Sequence, residues 1–111
     1  MEFTKDIEFN INPVANQDLC ITYHGFLKDS QEIFIVYGFG EAWENTTETK
    51  MEKIENGFSA CIKMLNFDTF NFCFKNADNI WDNNSSYNYI SSITPFEAIK
   101  FDINALIEQI L

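Results

Sequence analysis

Residues 57–75 read GFSACIKMLNFDTFNFCFK. Phe58, Ala60, Ile62 and Met64 alternate with Ser59, Cys61 and Lys63. Phe70, Phe72 and Phe74 then alternate with Asn71, Cys73 and Lys75. A period of two is the pattern of a strand that buries one face and wets the other. The link LNFDT has turn chemistry in Asn66 and Asp68, whose side chains bond their own backbone. A hairpin centred near Phe67 sets Ile62 opposite Phe72 and Met64 opposite Phe70, so every apolar side chain falls on one face. The same register sets Cys61 opposite Cys73, which predicts two neighbouring free thiols on the outer face.

The alternation continues in both directions. In IEFNI, Ile7, Phe9 and Ile11 share a face, and Pro13, which has no N–H to donate, ends the strand. In LCITY, Leu19, Ile21 and Tyr23 alternate with Cys20 and Thr22, and HGFLKDSQ follows as a turn. EIFIVYGFG is apolar on both faces, as expected of a central strand. Residues 41–49 read as a loop, and TKMEKIEN as a short strand burying Met51 and Ile54. YNYISSI, residues 87–93, reads as the last strand of the body, and EAIKF as one more. The tail changes period: Ile103, Leu106, Ile107 and Ile110 are spaced for one face of a helix, with Asp102 as its N-cap. Six to eight short strands separated by turns indicate an all-β antiparallel β-sandwich with a short C-terminal α-helix. The expected division is a body over residues 1–95 and an extension over 96–111.

At 111 residues the chain suits one domain. Hydrophobic residues make up 46% and aromatics 16%, enough to fill a core. The net charge is -10, and all seven basic residues are lysine. Affinity for nucleic acid comes mainly from neutralising phosphates, so general nucleic-acid binding is excluded, and anionic membrane surfaces are disfavoured. No signal peptide precedes the first strand, which makes the cytoplasm the expected location, with a secreted module of a larger protein as the alternative. The cysteines Cys20, Cys61 and Cys73 lack metal-ligand spacing, and their odd number favours a reducing compartment. No metal and no cofactor is expected. The single histidine, His24, has no nucleophile or acid signature around it, so no catalytic residue is assigned and the chain is read as a non-enzyme.

Two tryptophans stand in polar surroundings: Trp43 in YGFGEAWEN and Trp81 in NADNIWDNN. Leaving such a side chain exposed forgoes about 1.5–3 kcal/mol of burial free energy. Two rings at loop mouths form a platform if the strands bring those loops together. A pyranose has a relatively apolar C–H face for such a ring, and its rim hydroxyls suit amides that both donate and accept. Asp82, Asn83 and Asn84 also suit Asx turns within their own loop, and Tyr89 suits a strand-end or core position.

In order, these segments resemble the starch-binding carbohydrate-binding modules of families 25 and 53. The resemblance rests on an apolar strand ending YGFGEAW, on MEKIENGFSACIKM, and on the Phe-rich strand running into WDNNSSYNY. It spans about residues 5–92. It implies an immunoglobulin-like fold and non-catalytic binding of α-1,4-linked glucans such as starch, glycogen and maltooligosaccharides. It implies that Trp43 and Trp81 stack on sugar, with Tyr37 or a neighbour where these families often carry a histidine, and with Asn83 and Asn84 nearby. Ala42 stands where the families usually have glycine. The alternative is a protein–protein interaction or dimerisation domain that has lost the sugar. Residues 96–111 would serve a homodimer or a fused or associated catalytic partner.

Overall fold

The computed structural model describes residues 1–96. Ten strands follow in order: β1 (Glu2–Thr4), β2 (Ile7–Phe9), β3 (Asp18–Tyr23), β4 (Ile33–Phe39), β5 (Glu44–Lys50), β6 (Glu52–Ile54), β7 (Gly57–Lys63), β8 (Thr69–Asn76), β9 (Trp81–Asp82) and β10 (Tyr89–Ser92). They build two antiparallel sheets. The first has the order β1-β2-β3-β7-β6. The second has the order β10-β8-β4-β5, with β9 also on β8. The expected C-terminal strand EAIKF and the helix after it lie outside the described residues.

Alternation decides which side chains meet between the sheets. Ile7, Phe9, Leu19, Ile21, Tyr23, Phe58 and Ile62 face inward from the first sheet, and Ile33, Ile35, Phe39, Phe70, Phe72 and Phe74 from the second. The layers touch through aromatic rings: Tyr23 and Phe74 lie 4.2 Å apart between centroids, and Phe3 and Phe72 5.6 Å. Each buried ring of this size contributes about 1.5–3 kcal/mol. β4 is paired on both edges, as its two apolar faces predict.

The hairpin expected of residues 57–75 does not form. β7 and β8 belong to different sheets. The physical reason lies in the link, whose apolar residues are too well used for a solvated turn. Leu65 and Phe67 both pack against the core, and Phe67 stacks on Phe39 at 5.8 Å. The chain therefore crosses from one layer to the other at this point, and β7 pairs with β3 instead. Cys61 accordingly faces Cys20, and the two form a disulfide. Cys73 faces Val36, is buried, and is the free thiol of the three. The expectation of paired free thiols at Cys61 and Cys73 is thus corrected.

Smaller corrections follow from the edges. Residues 44–49, expected as loop, form β5 together with Lys50, a strand polar on both faces that pairs with β4 alone among the described residues. Ile54 is exposed on the edge strand β6, whereas Met51 is buried as expected. Trp81 and Asp82, expected in a loop, are a two-residue strand on β8.

Candidate functional site

β9 and β10 share one edge of β8. Asp82 pairs with Phe74 and Tyr89 with Phe72. Two positions of β8 therefore face seven along the edge chain, and residues 83–88 are thrown out of the sheet as a compact excursion. Such a path needs left-handed backbone, and Asn84, Ser85, Ser86 and Asn88 all have positive φ. Asn and Ser reach this region by bonding their own backbone more readily than bulky residues do.

The excursion is held from inside. Asn83 Oδ1 accepts from the Ser86 N–H at 3.0 Å, and the Asn83 carbonyl from the Asn88 N–H at 2.7 Å. Asn84 Nδ2 donates to the Asn88 carbonyl at 3.0 Å. Both amides therefore bond their own loop, as expected, Asn83 through its oxygen in the manner of an Asx turn and Asn84 through its NH2 group instead. Asn83 Nδ2 and Asn84 Oδ1 keep no hydrogen-bond partner among the described residues, so one donor and one acceptor remain for a hydroxyl-bearing ligand.

Asp82 ties the excursion to the core. Its carboxylate is buried and accepts from the Tyr23 hydroxyl and the Tyr89 hydroxyl, each at 2.7 Å. The Tyr23 oxygen in turn accepts from the Leu27 N–H at 3.2 Å. Burial and the bond to Asp82 push both tyrosine hydroxyls well above the usual tyrosine range. Burial, with Asp82 nearby, pushes the Cys73 thiol up to about 11.

The same tyrosine fixes the turn after β3. A Cβ at Gly25 would lie 2.6 Å from the Tyr23 hydroxyl, so only glycine lets the chain bend around that ring. The bend leaves Phe26 outside, 68% exposed. Phe26 lines one depression of ≈ 370 Å³ with Trp81, Asp82, Asn83, Asn84, Ser85 and Tyr89.

Trp81 is 43% exposed and projects from the outer face of the second sheet, beside its pairing partner Lys75. The Lys75 ammonium lies 5.4 Å from the Trp81 ring centroid, 5.8 Å from that of Phe34, and 2.6 Å from Glu48. Cation–π attraction on one side and the ion pair on the other hold the lysine across this face.

Trp43 reaches the same face by a different route. Val36 and Phe34 face outward from β4, and so does the position of Gly38. A Cβ there would meet the Trp43 backbone at 2.9 Å. The Trp43 main chain thus lies over the sheet at Gly38, with its own φ at 53°. Gly38 is four residues from Phe34, ~13 Å along the strand, and β9 is two strand spacings, ~10 Å, from β4. Trp43 and Trp81 thus belong to one face without adjoining. Tyr37 turns the other way and packs against Phe39 and Phe70 in the core. His24 lines a separate depression with Glu8, Thr22, Lys28, Ile54, Glu55 and Asn56.

Sequence reasoning placed Trp81, Asn83 and Asn84 together, and the fold does the same. It missed Phe26, although GFL inside a polar turn carries the same signal as a tryptophan inside WDNN.

Residues 20–72 match the profile of a family described as starch/carbohydrate-binding module (family 53). The resemblance is to a starch-binding module. The matched segment runs from β3 into β8 and contains Trp43, whereas Trp81 and the amide excursion follow it. An alpha-amylase of Clostridium acetobutylicum is 35% identical over 80 residues, covering 70% of this chain and 10% of the amylase. The chain therefore spans about a tenth of the length of that relative. No solved structure matches the chain.

Proposed function

We propose that this chain is a non-catalytic module that binds α-1,4-linked glucan (starch, glycogen or maltooligosaccharides) at the edge formed by Trp81, Asn83 and Asn84. The observation that carries this reading is a half-exposed tryptophan beside a rigid amide loop in a chain matched by the family 53 profile. Stacking on Trp81 supplies apolar contact, and the spare amide donor and acceptor orient hydroxyls. Trp43 serves as a further contact on the same sheet face, for a ligand long enough to cross it. The body over residues 1–95 is an immunoglobulin-like sandwich, and residues 96–111, of which 97–111 lie outside the described residues, serve a fused or associated catalytic partner, as the amylase relative suggests. The Cys20–Cys61 disulfide supports a secreted module over a cytoplasmic protein, because disulfides persist in oxidising compartments.

Titration with maltoheptaose and with glycogen, followed by tryptophan fluorescence, tests the proposal, with a β-glucan as control. The α-glucans are expected to change the emission and the β-glucan to leave it unchanged. Trp81→Ala is expected to weaken binding by roughly tenfold or more, the scale of a buried aromatic anchor. Unchanged affinity electrophoresis of the wild-type protein on amylopectin would defeat it.

A second reading, an interaction or dimerisation surface, draws support from Tyr87 and Ile90, which are 78% and 57% exposed. A dimer in light scattering, together with no response to α-glucan, would favour it.

A further inference from the structure

The turn after β3 and the excursion after β9 are far apart in sequence but fixed by one buried group. Asp82 accepts from Tyr23, whose ring is 59 residues away in the chain. Tyr23 accepts from Leu27 N–H and dictates glycine at position 25. Phe26 sits between those two pinned residues. Trp81 sits next to Asp82 itself. The backbone carrying each exposed ring is thus anchored to the same carboxylate, and both residues line the same depression, together with Asn83 and Asn84.

We propose that Phe26 and Trp81 form a two-ring clamp for one glucosyl unit, and that Phe26 is a binding residue. This rests on the α-glucan reading given above. Phe26 is the more exposed of the two rings, and among the described residues it belongs neither to the core nor to the side chains packed against it. An exposed phenylalanine forgoes burial free energy, so a wall of the ligand depression gives it a use that packing does not. Anchoring both backbones before the ligand arrives reduces the ordering cost of binding. A clamp engages two faces of a sugar ring, so it favours a unit whose faces are both accessible. A single stacking platform covers only one.

The test compares Phe26→Ala, Phe26→Leu and Trp81→Ala with the wild type, using maltotriose and maltoheptaose in calorimetry. Phe26 is exposed, so its variants are expected to unfold in urea like the wild type. Phe26→Ala is expected to bind both sugars roughly three- to tenfold more weakly, the scale of one aromatic contact. Phe26→Leu is expected to fall between, because it keeps apolar area but loses the ring. Wild-type affinity in both Phe26 variants, with Trp81→Ala impaired, would overturn the clamp and leave the glucan reading standing. Absence of binding by the wild type would overturn both. Chemical shifts confined to residues 25–27 and 81–89 on addition of maltotriose would support the clamp. Shifts at Trp81 that leave Phe26 unmoved would overturn it.

Discussion

At the scale of single residues, Asp82 does more than its neighbours. A lone carboxylate in a core of phenylalanines costs several kcal/mol unless it is hydrogen-bonded, and two tyrosine hydroxyls at 2.7 Å meet that need. Asp82→Ala leaves both hydroxyls without their acceptor and is expected to lower stability by roughly 3–5 kcal/mol, as two bonds to a charged group imply. Urea unfolding measures the loss; a change under about 1 kcal/mol would mean that water or another group takes over. The same pair sets an alkaline limit. Folding raises the pKa of Tyr23 and Tyr89 above the ordinary tyrosine value of about 10. Their contribution to stability is therefore full below about pH 10 and falls as the pH rises beyond it, because the unfolded chain releases those protons first. Cys73 acts with the same sign over a lower window, from its ordinary value of about 8.5 up to about 11. Absorbance titration is expected to find Tyr23 and Tyr89 ionising together with unfolding. Ionisation of all four tyrosines near pH 10 in a protein that is still folded would contradict the burial.

At the scale of elements, β4 shows how a strand positions a site from its end. Gly38 is followed by a turn whose main chain, at Trp43, folds back over it. Gly38→Ala would put a methyl group 2.9 Å from that backbone, so either the turn or the strand must give. The expected cost is about 1–3 kcal/mol, with changed Trp43 emission. A variant of wild-type stability and unaltered fluorescence would show that the turn adjusts freely. The strands themselves were legible in the sequence, since alternation in LCITY and TFNFCF reports which side chains face the other sheet, and EIFIVYGFG, apolar on both faces, reads as a central strand. What joined them was less legible. Alternation says which side chains share a face but not which sheet owns the strand. The link at residues 65–69 carries both turn residues and Phe67, which packs against the core, and its apolar members decided the crossing. β5 escaped notice for the opposite reason. It is a polar edge strand held by its pairing to β4, and backbone pairing leaves no hydropathy signal. At the site, WDNN was legible because a tryptophan among amides conflicts with local preference, and GFL carries the same signal; that Phe26 and Trp81 line one depression depends on the Tyr23–Asp82 bond, which no local pattern reveals.

At the scale of the whole molecule, the two sheets keep two features apart. The Cys20–Cys61 disulfide joins β3 to β7 on the outer face of the first sheet, and Trp81 projects from the outer face of the second. The aromatic core lies between them. A cross-link spanning a sequence separation of 41 restricts the unfolded chain and is expected to add about 4 kcal/mol. Little of that restriction concerns the native geometry at Asp82, which its own hydrogen bonds maintain. Reduction is therefore expected to lower the unfolding midpoint while leaving α-glucan affinity within roughly twofold at temperatures where the chain stays folded, since distant sites with no shared partner are nearly independent. Thiol titration checks the chemical state at each step. The native protein is expected to react little, because its free thiol, Cys73, is buried with a raised pKa. The unfolded protein is expected to yield one thiol, and the unfolded, reduced protein three, matching the three cysteines. Loss of binding in a reduced chain that retains its far-ultraviolet dichroism would mean that the two faces communicate through the core. The Tyr23–Phe74 contact at 4.2 Å would then be the first place to look, because Tyr23 belongs to the strand that carries Cys20 and also holds Asp82.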